Sequence, residues 1–493
     1  MKKVIEEYLS STGSTWISQS DLVDYCKRNK IPYNKDQLKL YVRSGEIVCT
    51  LFFRQHYYST RKLHMLENSI CKKIVALKKC GVKTPSYAWV EEKIKEAEAF
   101  LKIKLHVEQR NAVHTAVGNV FSIITGGPGT GKTSVLIVVE FIFKSMGIEL
   151  CYMAPTGKAA KRITESTGSK AYTMHKRMEI IDEKSIPKPL CERCIVIDES
   201  SMADMDITDK LLTAISAGCR LIWVGDIYQL PSVGAGSILR DFIGSGFIPT
   251  AQLEKTFRQL SDSNILNNIM KIKSGQMDFT VGDDFRIFKN LPATEVCDKM
   301  ISIYLERVKE YGIENVALLT PYRVKGDCCS NKMNNKIQSL LNPGGAGKKQ
   351  VLTKNWVLRE GDIVMQLENR AECVNGDVGR ITSIDENNRV TVLYSDGEVV
   401  YKKKELEQLT LAYAMSVHKS QGSEYKAVVT CLLNEHKSMW QKNLPYTAVT
   451  RAKQVCDFFY DVKALTTALA TEASDLRTTM LAQKLTACKK MEE

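Results

Sequence analysis

Three short runs of this 493-residue sequence hold the residue types that phosphate chemistry requires. In "SIITGGPGTGKTS", the spacing G-x-x-x-x-G-K-T covers residues 126–133. Gly127, Gly129, Thr130 and Gly131 form a turn whose backbone N–H groups can converge on an anion. Lys132 adds a mobile charge for the β- and γ-phosphates, and the Thr133 hydroxyl is placed to ligate Mg²⁺. In "CIVIDES", an apolar run ends in Asp198 and Glu199. The aspartate can hold Mg²⁺ through water, and the glutamate can orient and deprotonate the attacking water. Gln229, in "WVGDIYQLPSVGAG", lies just past another apolar run and can touch a γ-phosphate. Arg258 in "LEKTFRQ" and Arg451 in "YTAVTRAK" are cations from outside the glycine turn; an arginine finger is worth about 10³–10⁵ in rate. Singly, these three read as a turn glutamine and two solvated arginines, and only the order of the motifs raises them above that. The combined chemistry is binding and hydrolysis of a nucleoside triphosphate.

Such residues need elements to hold them. "VFSII" before the glycines reads as a buried parallel strand, and "KTSVLIVVEFIFKSM" after them as a helix with a wide apolar face. Strand-like runs recur at parallel-sheet intervals in "ELCYMAP", "CIVIDES", "RLIWVGD" and "TAQLEKTFRQ", giving one α/β lobe over residues 105–260. A second set starts at "NVALLTPYR", resumes at "LTLAYAMSVHKSQG" and "AVVTCLL", and ends at "VCDFFYD". This second lobe, residues 261–347 and 409–470, is interrupted at 348–408 by short runs such as "VGRITSI" and "RVTVLY", with turns "ENN" and "SDG" between them. Asp-Gly between two strands is a strong hairpin signal, so the insertion reads as a small antiparallel β-barrel. Residues 1–104 read as a separate α+β unit. "SQSDLVDYCKRN" and "NKDQLKLYVRSG" resemble capped helices and "EIVCTLFFRQHYYS" an alternating strand pair, the outline of a winged helix or equally of a generic adapter, followed by amphipathic helix to Leu105. Residues 471–493 are left as a tail.

Composition sets the bounds. A chain this long suggests about three or four domains, and its 44% hydrophobic and 25% charged residues are those of an ordinary globular protein. No apolar run approaches the roughly 20 residues of a membrane helix, and "MKKVIEEYLSS" lacks a signal-peptide core, so an intracellular protein, cytoplasmic or nuclear, is expected. The fifteen cysteines are odd in number and scattered, which fits reduced thiols. Cys191 and Cys194 form a lone CxxC without a second ligand pair and read as strand-edge packing rather than a metal site. A formal charge of +13 is compatible with a polyanionic partner.

The ordered runs "EQRNAV", "GGPGTGKT", "APTGKAA", "TMH", "VIDESSM", "VGDIYQLPSVGAGSIL", "LEKTFR", "LTPYR", "LAYAMSVHKSQGSEY" and "YTAVTRAK" resemble the RecD family of superfamily 1B helicases, over about residues 105–460. The resemblance implies two RecA-like lobes that close on ATP and Mg²⁺ and move 5′→3′ along single-stranded DNA to open duplex junctions. By the same resemblance Gln109 would read the adenine, and Lys132 and Thr133 the phosphates and metal. Asp198 and Glu199 would serve metal and water, and Gln229, Arg258 and Arg451 would sense the γ-phosphate. Gly422 and Glu424 would join nucleotide to DNA, with strand contacts from Pro155, Thr156, Thr173, His175 and His418. Small hydroxyls and backbone amides grip phosphates without reading bases, as a motor that travels over any sequence requires. The two histidines have an alternative reading as satisfied core residues.

The sequence departs from the family in three places. Ser200 stands where the family more often has Ala, a small change expected to matter little. Residues 176–192 are short for the strand-splitting β-hairpin of the family, and read equally as a short ribbon or a connecting loop. The amino-terminal unit is too short for the tandem helix-hairpin-helix modules of the longer bacterial members, which puts a partner-specific or substrate-loading role in doubt; a protein partner, if there is one, would be expected through that unit. A monomer is expected. The rival functions are an RNA-directed helicase and a non-translocating scaffold switched by nucleotide; Glu199 and Arg451 argue against the scaffold, because a pure switch needs no hydrolytic groups.

Overall fold

The computed structural model describes every residue except 53, 183, 258–262, 346, 371, 473–476 and 493. The chain divides into two compact units, Met1–Pro155 with Ile163–Gln259 and Ala473–Glu493, and Thr156–Arg162 with Leu260–Glu472.

The first unit is built on a six-stranded parallel sheet. Its order is Ala171–Thr173, Leu150–Ala154, Cys194–Ile197, Arg220–Gly225, Phe121–Gly126, Thr250–Leu253. Every residue of Phe121–Gly126 and of Arg220–Gly225 is buried, as the continuous apolar runs of central parallel strands require. The helix Lys132–Ser145 follows directly and buries Val135, Val138, Val139 and Ile142. Crossover helices cover the sheet, and Phe121, Trp223 and Phe242 meet edge-on in the core beneath it.

Amino-terminal to this sheet lie helices Lys2–Thr12, Gln19–Arg28 and Lys35–Arg43 and a three-stranded sheet in which Gln55–Thr60 sits between Ile17–Ser18 and Ile47–Phe52. Ser18 and Asn34 cap the second and third helices through Asp21 N and Gln37 N, matching the caps expected from the sequence. The amphipathic stretch that follows is two helices, Arg61–Lys79 and Tyr87–Leu101.

The carboxyl-terminal segment is more than a tail: Leu481–Glu492 is a helix that packs in the first unit's core through Leu481 and Leu485. A buried carboxylate organises this junction. Glu67, fully buried, accepts from Thr15 Oγ1 (2.5 Å), Trp16 Nε1 (2.9 Å) and Met480 N (3.0 Å) and pairs with Lys484 Nζ at 2.8 Å. Arg477 donates to the carbonyls of Ser232 (2.7 Å), Gly234 (3.3 Å) and Gly236 (2.9 Å) and covers Gly13, where a Cβ would lie 2.5 Å from its Cζ. Four segments distant in sequence are thus fixed by charge-assisted bonds in a dry setting, where leaving one group unpaired is costly.

The second unit contains a five-stranded parallel sheet in the order Phe285–Lys289, Ala452–Tyr460, Tyr425–Leu432, Val316–Thr320, Ala414–Ser416. Between its second and third strands in the chain, Val316–Thr320 and Ala414–Ser416, lies an antiparallel sheet, ordered Gly397–Tyr401, Val390–Tyr394, Val378–Ile384, Ile363–Gln366, Leu409–Leu411, beside the hairpin of Gln350–Leu352 and Val357–Arg359. The two turns read from the sequence are where expected: Asn388 takes φ 57° and Gly397 opens the strand paired to Val390–Tyr394. Cys297 and Cys328 form a disulfide, with Cα atoms 5.5 Å apart. The other cysteines, Cys191 and Cys194 included, are free. Among the described residues no helix is long and apolar enough to cross a membrane.

Candidate functional site

In the first unit the sheet itself gathers the candidate residues. Its strands are parallel, so the segments after them emerge along one carboxyl edge, where open α/β sheets bind ligands. Along that edge, in strand order, come Thr173 and His175, then Pro155, then Asp198 and Glu199, then Gln229, then the glycine turn. The nucleotide candidates therefore occupy three adjacent strands, and the DNA candidates of this unit occupy the next two.

The glycine turn is pre-shaped. Gly129 and Gly131 have φ of 74° and 80°, a left-handed conformation in which a side chain is strained. A Cβ on Gly131 would also lie 2.1 Å from Gln109 Nε2. Gln109 is buried and spans the turn: its Oε1 accepts from His106 N (2.9 Å) and its Nε2 donates to Thr130 O (3.2 Å). Thr130 Oγ1 donates to Gly127 O at 2.9 Å. Lys132 Nζ donates to Gly126 O (2.6 Å) and Gly127 O (2.9 Å), so the ammonium lies across the loop that it would share with a phosphate. Thr133 follows at the second position of the helix, half-buried. Phe257 N donates to Gly129 O at 2.7 Å, and the Phe257 ring lies 5.7 Å from that of His106. The neighbouring Arg258 lies outside the described residues.

Asp198 N donates to Met153 O across the sheet, and Asp198 Oδ1 accepts from Glu199 N at 2.8 Å. Glu199 has φ 50° and ψ 36°, a left-handed backbone uncommon for a non-glycine residue and worth about 1 kcal/mol or more of strain. Such outliers concentrate where a side chain must be aimed. Ser200 behind it is fully buried, and its hydroxyl finds no hydrogen-bond partner among the described residues. Gln229 is buried at the turn after Arg220–Gly225, its N–H bonded to Asp226 O.

The donor set suits a hard divalent cation. Thr133 and Asp198 offer a hydroxyl and a carboxylate oxygen, and no cage of three or more metal-ligating side chains exists among the described residues. Mg²⁺ is commonly held in this way, by one or two protein oxygens together with phosphate and water.

Farther along the edge, Thr173 accepts from Lys176 N at 3.1 Å and caps the short helix Met174–Arg177, so its hydroxyl already holds a backbone group. His175 is half-buried, and burial pushes its imidazole below the usual range, which leaves it neutral at neutral pH. Between this helix and Cys194–Ile197 the described residues form a closed loop and no hairpin. Lys188 N bonds to Met178 O at its neck, and Ser185 Oγ with Asp182 Oδ1 fastens its tip. Of the two sequence readings the connecting loop is the one observed; Pro187 and Pro189 remove the donors that a ribbon would need.

In the second unit, Thr156 caps the following helix through Ala159 N at 3.3 Å. His418 lies after the Ala414–Ser416 strand, half-buried. Beside it stands a residue the sequence reading left out. Lys419 Nζ donates to Asn375 Oδ1 at 2.7 Å, and burial, with Arg323 and Lys158 nearby, pushes its ammonium below the usual range. Cations held together at this cost commonly await an anion; the signal was present in "SVHKSQG" and "LTPYR". Gly422 has φ 74°, and Glu424 pairs with Lys453 at 3.0 Å. Arg451 is 2% exposed: Nε donates to Thr447 O, Nη1 to Ser423 O and Nη2 to Thr450 Oγ1, each at 3.1 Å. Tyr425 N in turn donates to Arg451 O, so Ser423, Tyr425 and Arg451 form one knot before two adjacent strands.

Residues 104–286 match the AAA domain family, 333–394 the SH3 domain of ATP-dependent RecD-like DNA helicases, and 411–456 the UvrD-like helicase C-terminal domain. These are the domains of RecD-like helicases, to which the chain is similar. It is 34% identical over 356 residues to the ATP-dependent RecD2 DNA helicase of Deinococcus radiodurans, a match covering 71% of this chain and 48% of that protein. The RecBCD enzyme subunit RecD of Mycolicibacterium smegmatis is 26% identical over 419 residues, covering 75% and 74%. The chain thus spans about half the length of the Deinococcus relative. The Pif1 helicase from Bacteroides, solved with ADP-AlF3 and single-stranded DNA, aligns at a TM-score of 0.47 and 19% identity over 74% of this chain and 94% of that one. Both α/β units of this chain carry parallel sheets.

Proposed function

We propose that the chain is an ATP-dependent DNA helicase that moves 5′→3′ on single-stranded DNA and opens duplex junctions. The observation that carries this reading is the shared carboxyl edge of the first sheet. There a glycine turn with Lys132 and Thr133, the strained Glu199 beside Asp198, and the strand-end positions Pro155, Thr173 and His175 follow one another on successive strands. Events at a γ-phosphate are then one or two strands away from a phosphate of the track, roughly 5–10 Å.

In this proposal Gln109 holds the glycine turn in shape beside the adenine, and Gly127, Gly129, Thr130 and Gly131 present backbone N–H groups to the phosphates. Lys132 leaves its two carbonyls for the β- and γ-oxygens. Thr133 and Asp198 hold Mg²⁺, which supplies charge neutralisation on the phosphates when bound. Glu199 accepts a proton from the attacking water, Gln229 orients the γ-phosphate, and Arg258 and Arg451 contribute positive charge as lobes close. For Arg451 this requires release of its three internal bonds, which makes it a latch as much as a finger. Gly422 and Glu424 pass that change to the strand, gripped by Pro155, Thr156, Thr173, His175 and His418, with Lys419 and Arg323 added. Each base-pair step costs about 1.4 kcal/mol of stacking, so one-way grip has to accompany every hydrolysis. Residues 1–104 are assigned to a winged-helix-like unit and 348–408 to a small SH3-like barrel in the second lobe.

The test is unwinding of 5′-tailed and 3′-tailed duplexes in parallel by the wild type and Lys132→Ala. Opening of the 5′-tailed substrate alone, lost in the variant without a change in melting temperature, is the expected result. Opening of the 3′-tailed duplex, or unwinding by the variant, contradicts the proposal, and equal stimulation of hydrolysis by RNA and DNA strands would move the substrate class to RNA.

A further inference from the structure

Charge in the first sixty residues is divided. Residues 1–24 hold two lysines and four acids, whereas residues 25–60 hold seven lysines and arginines against Asp36 and Glu46. Both of those acids are already engaged, Glu46 by Lys2 at 2.8 Å and Asp36 by Lys39 at 3.2 Å. The helix Lys35–Arg43 buries Leu38 and half-buries Tyr41 and Val42, while Lys35, Lys39 and Arg43, spaced four apart, share its exposed face. Arg54, with φ 61°, is exposed beside the tip of the following hairpin. Among the described residues Lys35, Arg43 and Arg54 form no ion pair.

This face is not the one by which the amino-terminal segment is anchored. Anchoring runs through Gly13, Thr15 and Trp16, which bond to Gly236 N, Thr478 O and Glu67. The cationic helix therefore stays uncovered while its base is held firmly. Leu40 is its one large apolar side chain that is mostly exposed, at 63%, too little for the apolar centre of a protein interface. A row of cations on a helix about 13 Å long, presented by a second helix and flanked by a hairpin, fits instead a groove about 12 Å wide walled by phosphates.

We propose that this face is a second nucleic-acid site, separate from the translocation track, that binds duplex DNA with the Lys35–Arg43 helix in the major groove and Arg54 on the flanking backbone. It uses none of the nucleotide-site residues and can hold or fail independently of the motor reading.

The test uses the full chain and a blunt-ended duplex of about 20 base pairs, read by fluorescence anisotropy across a salt series. The combined variant Lys35→Ala, Lys39→Ala, Arg43→Ala is expected to lose about tenfold or more in duplex affinity, with the slope of log affinity against log salt falling by about 2–3. Its melting temperature and its hydrolysis of ATP on an oligo-dT strand stay unchanged, and Lys132→Ala binds the blunt duplex like the wild type. Arg54→Ala, a single exposed change, gives a smaller loss of the same kind and serves if the combined variant folds poorly. Unchanged duplex affinity in both variants overturns the proposal, as does a wild type that does not bind the blunt duplex. An equal loss on single-stranded DNA also overturns it, since the face would then belong to the track. Loss of duplex binding in a chain that proves unable to unwind would sustain this site while ending the helicase reading.

Discussion

Glu199 combines two features that rarely coincide by accident: a left-handed backbone and a place at the end of a buried strand beside an aspartate. A group aimed at such a cost serves chemistry more than folding, so Glu199→Gln should keep nucleotide binding and reduce hydrolysis by about 10²–10⁴, measured as single-turnover rate beside a nucleotide titration. Its neighbour carries the opposite expectation. Ser200→Ala removes a buried hydroxyl with no partner among the described residues, so the variant should melt at the same or a higher temperature, by up to about 1 kcal/mol, with hydrolysis retained. The sequence made most of these residues legible, because a glycine turn and an acidic strand end are local patterns that the chain cannot disguise. Gln109 was legible only through its family, and its observed bonds to His106 and Thr130 show a role in holding the turn that no local pattern carries. Lys419 was missed because its neighbours Arg323 and Lys158 are far away in sequence.

Among the elements, the strands were the readable part and their order in the sheets was not, since buried parallel strands are runs of apolar residues and the hairpins carry Asn-Asn and Asp-Gly turns. The carboxyl-terminal helix was not readable as part of the first unit. Its sequence, "LAQKLTACKK", has a modest apolar stripe, and its destination is set by Glu67 and Asp241, hundreds of residues earlier. Asp241 makes this packing sensitive to pH. Burial raises its carboxyl to about 7, and Thr479 Oγ1 donates to it at 2.7 Å. A carboxyl whose pKa is raised by folding stabilises the fold fully below its unfolded value near 3.8, and that stability drains away as pH climbs towards about 7. Asp241→Asn should therefore be more stable than the wild type at pH 8, by about 4 kcal/mol, with the gap closing as pH falls to about 4. Thermal melts of both proteins over that range decide it, and a gap independent of pH would contradict the assignment.

For the whole molecule, the property that decides the proposed function is direction of travel, which no single residue encodes. The two parallel sheets and the inserted antiparallel sheet are the parts the proposed motor would use, and the amino-terminal unit adds a cationic face of its own. Deleting residues 477–493 removes Arg477 from three carbonyls and Met480 and Lys484 from Glu67, leaving buried groups without partners. The truncated chain should lose about 3–5 kcal/mol in the first unit, seen as a drop in that unit's transition by calorimetry, while the second unit melts as before.

That stitching also sets a schedule for synthesis. A ribosome releases the glycine turn and its sheet early, yet the buried carboxylate at position 67 waits for partners some four hundred codons downstream. Until they emerge, Glu67 has only Thr15 and Trp16 as partners, so this corner of the first unit is the last to be completed.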